Sequence, residues 1–261
     1  MLRPYVGVTG FTLGFEVETA LKEVPHGADR SLMIGVLVSD KTLRGEQNKY
    51  PRLYPGIQHP NALEKLFLAH PAAFNVIHYN TSNPEALRPQ LVAVVNTGGP
   101  NLHGIQLNMW TEVADLEWFR KRYPTISVIQ QVGGMVQHAC HHKPRAIAEW
   151  IRERRDFIDY VLLDSSDGTG LNLNVAYMEE MIGRIIQKVL GKMPLIGVAG
   201  GLREETLRNI EPLLRLYVEL SYDAQGKLRD EKSGGGDLVV PRMKAYLREG
   251  FALPKRVLKR Q

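Results

Sequence analysis

Short apolar runs alternate with amphipathic stretches along the chain. Runs of strand length lie at Tyr5–Thr9, Ser31–Val38, Phe74–Tyr79, Gly104–Leu107, Ser127–Gln131, Tyr160–Asp164, Leu195–Ala199 and Leu216–Leu220. Most are continuously apolar and rich in Val, Ile and Leu, which marks strands covered on both faces and hence a parallel sheet. Between them, apolar residues recurring every three or four positions predict helices over Glu16–Val24, Asn61–Ala69, Glu112–Arg122, Pro144–Phe157, Val175–Leu190 and Glu204–Leu213. Asn83 followed by Pro84 is a further helix start. Strand and helix repeated eight times admit a closed barrel or an open doubly wound sheet. The count, with a length of 261 residues, favours an α/β fold made of a single (β/α)8 TIM barrel, for which about 250 residues suffice.

Two connections exceed what such a barrel needs: Ser39–Pro60 after the second strand and Tyr222–Asp237 after the eighth. The second contains Ser233, Gly234, Gly235 and Gly236, a composition that suits a floppy linker or a lid equally. The barrel is expected over 1–250, followed by a basic tail, 251–261.

Composition narrows the class further. With 44% hydrophobic and 23% charged residues, the chain has the balance of a globular protein. Much of the formal charge of +5 sits in Lys255, Arg256, Lys259 and Arg260. No aromatic residues interleave these charges, so the tail reads as a solvated end and no nucleic-acid partner is expected. No apolar run reaches the roughly 18 to 20 residues of a membrane span, and the first residues lack the layout of a secretion signal, so a cytoplasmic location without a membrane partner is expected. Self-association into a homo-oligomer stays open. Cys140 is the lone cysteine, which excludes an intrachain disulfide, a zinc ribbon and an iron–sulfur set.

In a barrel of this kind, functional groups project from strand ends and the loops that follow. The sixth strand ends in Asp164, followed by Ser165-Ser166-Asp167-Gly168-Thr169-Gly170. Asp164 becomes a general acid if burial raises its pKa, or else caps a loop or holds a neighbouring cation. Asp167 reads as a turn residue. The seventh strand ends Ala199-Gly200-Gly201-Leu202 before a helix. Paired glycines there let the backbone approach an anion, and phosphate is the usual occupant between the loops after strands seven and eight. Gly200, Gly201 and Ser221 therefore form the expected phosphate-binding group, a simple turn being the alternative.

Glu219 lies inside an apolar run, where an ionised side chain is costly unless it faces a polar pocket. His78 ends the third strand and suits proton transfer. The strand-end residues Thr9, Gln106, Asn108 and Gln130, with Gly168 and Gly170, are expected around the substrate. His138, His141 and His142 beside Cys140 do not form a dependable metal spacing, so they read as a solvated loop, and neither a metal nor a cofactor is expected.

Several of these segments resemble phosphoribosylanthranilate isomerase, a (β/α)8 enzyme of tryptophan synthesis. Gly7-Val8-Thr9 is similar to the Gly-Ile-Thr after that family's catalytic cysteine, and Gly104-Ile105-Gln106-Leu107-Asn108 to its Val-Gln-Leu-His-Gly. Leu162-Leu163-Asp164 with Gly168-Thr169-Gly170 resembles its Leu-Leu-Asp and Gly-Gly-Thr-Gly. Ala199-Gly200-Gly201-Leu202 matches its Ala-Gly-Gly-Leu. The resemblance implies an Amadori rearrangement of a phosphorylated aminosugar, with a cysteine as base and an aspartate, here Asp164, as acid. Val6 occupies the cysteine position. The family's strand-eight Asp-Val-Ser-Ser-Gly is loosely echoed by Glu219-Leu220-Ser221-Tyr222. A family arginine after strand two holds the substrate carboxylate, a role for Arg44 or Arg52.

Three functions follow. The first is a divergent isomerase or lyase of a small phosphorylated metabolite, with Asp164 as acid and His78 or Glu219 as base. The second is a non-catalytic ligand-binding barrel that has lost its base, since fold alone does not fix function. The third is a metal-dependent hydrolase using His78 and the His138–His142 loop.

Overall fold

The structure is a computed structural model that describes residues 2–56, 63–164, 173–232 and 235–259. Eight parallel strands close in sequence order into a barrel: β1 (Tyr5–Thr9), β2 (Ser31–Ser39), β3 (Ala73–Asn80), β4 (Gly104–Leu107), β5 (Ser127–Val132), β6 (Tyr160–Asp164), β7 (Leu195–Ala199) and β8 (Ser221–Ala224). Pairing of β8 with β1, Val6 opposite Tyr222 and Gly7 opposite Asp223, closes the cylinder.

Side chains alternate between the two faces of each strand. Val8, Ile34, Ile77 and Val161 point outward into the shell under the helices. Tyr5, Met33, Phe74, Ile129, Tyr160 and Leu162 point inward and fill the closed, amino-terminal half of the cylinder. The rings of Tyr5, Phe74 and Tyr160 meet with centroids 5.4 to 6.0 Å apart, the tilted packing that aromatic quadrupoles prefer. These described side chains thus fill the barrel below its carboxyl end.

The helices follow from apolar spacing and local signals: α1 (Gly14–Leu21), α2 (Asp40–Leu43), α3 (Leu87–Gly98), α4 (Val113–Arg122), α5 (Gly134–Ala139), α6 (Pro144–Arg154), α7 (Val175–Lys188), α8 (Glu211–Leu216) and α9 (Val240–Leu258). In α7, Met178, Met181, Ile182 and Ile185 form one buried stripe, and Asn174 caps the helix by accepting from the Tyr177 N–H at 3.1 Å. Helix α9 starts with a proline in its first turn and buries Met243, Tyr246 and Leu247. Among the described residues, no helix is long and apolar enough to cross a membrane.

Four expectations change. The eighth strand is Ser221–Ala224, not Leu216–Leu220: Leu216 ends α8, and Leu216 and Val218 are each 46% exposed. The described part of Asn61–Ala69 is a turn around a Phe67 N–H to Leu63 carbonyl bond rather than a helix. Glu204–Leu213 divides into a 3₁₀ segment, Glu204–Ile210, and α8, which restarts with Pro212 in its first turn. The stretch after residue 250 is not a free tail, because α9 continues unbroken to Leu258 and buries Phe251, Leu253 and Val257.

Both long rim connections carry structure of their own. After β2 the chain forms α2, capped by Ser39, and a 3₁₀ turn at Pro51–Leu53. After β8, a bridge between Arg229 and Leu238 and a bond from the Asp230 N–H to the Asp237 carbonyl at 3.1 Å tie off a narrow loop. Arg52 and Asp237 join the two connections through an ion pair of 2.8 Å.

Candidate active site

A cavity of about 630 Å³ opens at the carboxyl end of the barrel. Its floor and walls include His78, Gln106, Gln131, Asp164 and Asp223, with the Gly200–Gly201 turn on one side. Asp164 and this turn therefore share one opening. Alternation explains the set: Thr9, His78, Gln106, Gln131, Asp164 and Asp223 are inward-facing polar positions toward the carboxyl ends of β1, β3, β4, β5, β6 and β8.

Asp223 was not anticipated, and it has the most perturbed carboxyl of the site. Burial pushes its pKa from 3.8 up to about 7; hydrogen bonds from Thr9 oppose the rise, and the charge of Asp164 adds to it. The Thr9 hydroxyl donates to the two Asp223 oxygens at 3.0 and 2.8 Å. Its lone pairs then face His78 Nε2 at 3.4 Å, which is consistent with the Nε2–H tautomer. Burial drives the His78 pKa down to about 3, so the imidazole is neutral throughout the physiological range.

Small residues permit this crowding. A Cβ at Gly35 would lie 2.6 Å from Thr9 Oγ1 and 2.9 Å from His78 Nε2, and one at Gly7 would lie 2.8 Å from Asp223 Oδ1. Only glycine leaves these approaches open.

On the other side of the floor, an amide chain orients Asp164. Gln106 Nε2 donates to Gln131 Oε1 at 2.9 Å, and Gln131 Nε2 donates to Asp164 Oδ2 at 3.0 Å. Gln137 of α5 donates to the Asp164 carbonyl at 2.5 Å. Gln106 Oε1 is buried with no donor, an unusual state for an amide oxygen. Gly200 and Gly201 adopt φ of 121° and 61°, positive values open to glycine, and both line the cavity.

The remaining expected residues divide. Asn108 lines the cavity, and Thr9 lies fully buried beneath it. Gln130 points outward, where its amide bonds the Leu107 and Met109 carbonyls at 3.1 Å each and its oxygen accepts from Thr111. Ser221 begins β8 at the closed end and accepts from the Tyr5 N–H at 3.1 Å, so it is remote from the glycine turn. Glu219 is an exposed residue of the turn before β8, at the amino-terminal end. Arg44 pairs with Asp40 and Glu46, and Arg52 with Asp237; neither lines the cavity. Gly168 and Gly170 lie outside the described residues, as do Asp167, Ser233 and Gly234. Val6 faces outward toward Gly250 of α9, so a side chain at that position does not reach the cavity. Among the described residues, no group of three or more His, Cys, Asp or Glu side chains is placed to hold a metal ion.

Gln131, Asp223, Lys227 and Arg229 are cavity-lining candidates that sequence reasoning missed. The signal for Asp223 was the alternation in Ser221-Tyr222-Asp223-Ala224, polar inward and apolar outward.

No family model and no curated protein matches the chain. Solved structures of similar fold include an octameric ribulose-1,5-bisphosphate carboxylase/oxygenase from Pyrococcus horikoshii OT3, 13% identical with a TM-score of 0.51. That match covers 99% of this chain, which spans 65% of the Rubisco chain. Active domain 2 of chitinase from Pyrococcus furiosus is 11% identical with a TM-score of 0.54, covering 97% of each chain. A second structure of that domain, complexed with chito-oligosaccharides, matches at 11% identity and a TM-score of 0.54, covering 96% of each. At such identities the likeness concerns the TIM-barrel fold.

Proposed function

We propose that this barrel is an isomerase or lyase of a small phosphorylated, sugar-type metabolite, in the manner of phosphoribosylanthranilate isomerase but with a different pair of proton-transfer groups. One observation carries the reading: Asp164 and Asp223 face one cavity, and Asp223 holds its proton to about pH 7. Moving a proton between two substrate atoms needs one group that gives and one that takes. Asp223 is the donor and the Asp164 carboxylate the acceptor; a turnover leaves Asp223 ionised and Asp164 protonated, and exchange with solvent, Asp164 losing its proton as Asp223 takes one up, restores both. This gives Asp223 the acid role first expected of Asp164, and gives Asp164 the base role first expected of His78 or Glu219. Neutral His78 then serves as a hydrogen-bonding group rather than as a base. The Gly200–Gly201 turn receives the phosphate through its N–H groups.

A second reading, a barrel that binds such a ligand without turning it over, draws support from Val6, which has no ionisable group and faces away from the cavity. Incubation with phosphorylated sugars in D₂O separates the two. The enzyme reading predicts deuterium uptake at a substrate carbon, read by proton NMR, and a loss of about 10²- to 10⁴-fold in Asp164→Asn and Asp223→Asn. Binding without exchange supports the second reading, and full exchange in folded Asp223→Asn overturns the first.

A further inference from the structure

Arg229 is 3% exposed, and among the described residues no carboxylate lies within ion-pair distance of its guanidinium. Its Nη1 donates to the Gly236 carbonyl at 2.9 Å and its Nη2 to the Gly10 carbonyl. Its Nε has no hydrogen-bond partner. The nearby acids are committed elsewhere: Asp230 to Lys232, Asp237 to Arg52 and Lys232, and Glu16 to the N–H groups of Thr12 and Leu13. A buried cation balanced only by carbonyls is costly unless an anion reaches it.

Two other arginines are buried away from the cavity. Arg30, which likewise bonds only carbonyls and has an unpartnered Nε, lies over the Tyr222 ring at the closed end. Arg154 pairs with Glu153 and lies over the rings of Trp110 and Trp150; neither arginine lines the cavity. Arg229 does line it, as does the exposed Lys227 two residues earlier. The Arg229 backbone is fixed by its bridge to Leu238 and by a 2.6 Å bond from Arg242 Nη1 to its carbonyl.

We propose that the buried Arg229 guanidinium, whose Nε–H has no partner, and Lys227 form the cationic wall of an anion seat on the β8 side of the cavity, and that its occupant is the dianion of a phosphomonoester. The proposal deepens the phosphate reading above and rests on it in placing the anion in this cavity. Two cations facing one opening match a doubly charged group, and the guanidinium supplies a directed N–H where an ammonium supplies a point charge.

Isothermal titration of the full chain with inorganic phosphate at pH 7.5 tests it. The expected result is one bound phosphate per chain, with affinity falling about ten- to a hundredfold in Arg229→Gln, the range of a charged hydrogen bond, and by less in Lys227→Gln. Because Arg229→Gln also loses the Gly10 and Gly236 contacts, a measurement on the unmutated protein stands beside it. The Arg229 Nε–H resonance is expected to move downfield and exchange more slowly as phosphate is added. An unmoved resonance, no phosphate binding, or unchanged affinity in folded Arg229→Gln overturns the proposal. Gly201→Val separates the two claims. Binding lost there but kept in Arg229→Gln leaves the glycine-turn reading standing and removes this one; the converse supports Arg229 and removes the turn.

Discussion

Replacing Asp223 by Asn removes a charge that the barrel holds at a disadvantage. The folded pKa, about 7 against 3.8 for the free side chain, means that folding favours the protonated acid. The stability associated with that proton is fully present below about pH 4 and is lost as the pH rises through about 7. At about 1.4 kcal/mol per pH unit, the penalty on the wild type reaches about 4 kcal/mol once the group is ionised. The group is buried, so solvent screening takes little from this figure. An Asn oxygen still accepts from Thr9, and the amide no longer faces Asp164 as a like charge. The stability of Asp223→Asn relative to wild type therefore rises by about 3 kcal/mol between pH 5 and pH 8. Urea unfolding of both proteins at pH 5, 6, 7 and 8 reads this difference directly, since other titrating groups cancel. A difference that stays constant over that range would refute the reasoning.

Other consequences follow from the same geometry. Gly35→Ala places a methyl 2.6 Å from Thr9 Oγ1, so it should cost about 1–3 kcal/mol in unfolding free energy; a neutral substitution would mean that the Thr9–His78 contact is loose. His78 should remain uncharged from pH 5 to pH 8, with its Nε2 carrying the proton, as read from imidazole ¹⁵N shifts; a titration near pH 6.5 would place it in water. Glu219→Gln, in an exposed turn at the closed end, should change stability by less than about 0.5 kcal/mol and leave ligand binding intact, which a paired urea and ligand titration checks.

Much of the scaffold was legible because barrel strands are continuous apolar runs. Tyr5–Thr9, Gly104–Leu107, Tyr160–Asp164 and Leu195–Ala199 have the limits that their hydrophobicity indicates. The eighth strand was not legible in this way. Its inward positions, Ser221 and Asp223, carry polar groups to Tyr5 and Thr9, while the more apolar Leu216 and Val218 sit half-exposed beside the turn before it. That shift exchanged the candidates: Glu219 fell at the closed end, and Asp223 took the place at the open one. Gln130 and Gln131 show the same dependence on strand phase, one residue apart on opposite faces. The lone charge of Arg229 was out of reach of the sequence, because it depends on which acids the folded loop commits to Lys232 and Arg52.

The coupling of two carboxyls in one cavity is tested most directly by the carboxyl ¹³C shift of Asp223, followed against pH in the wild type and in Asp164→Asn. The account predicts a wild-type midpoint near 7 and a lower one once the Asp164 charge is gone. A midpoint near 4, the ordinary value for an aspartate in water, or one unmoved by Asp164→Asn, would contradict it.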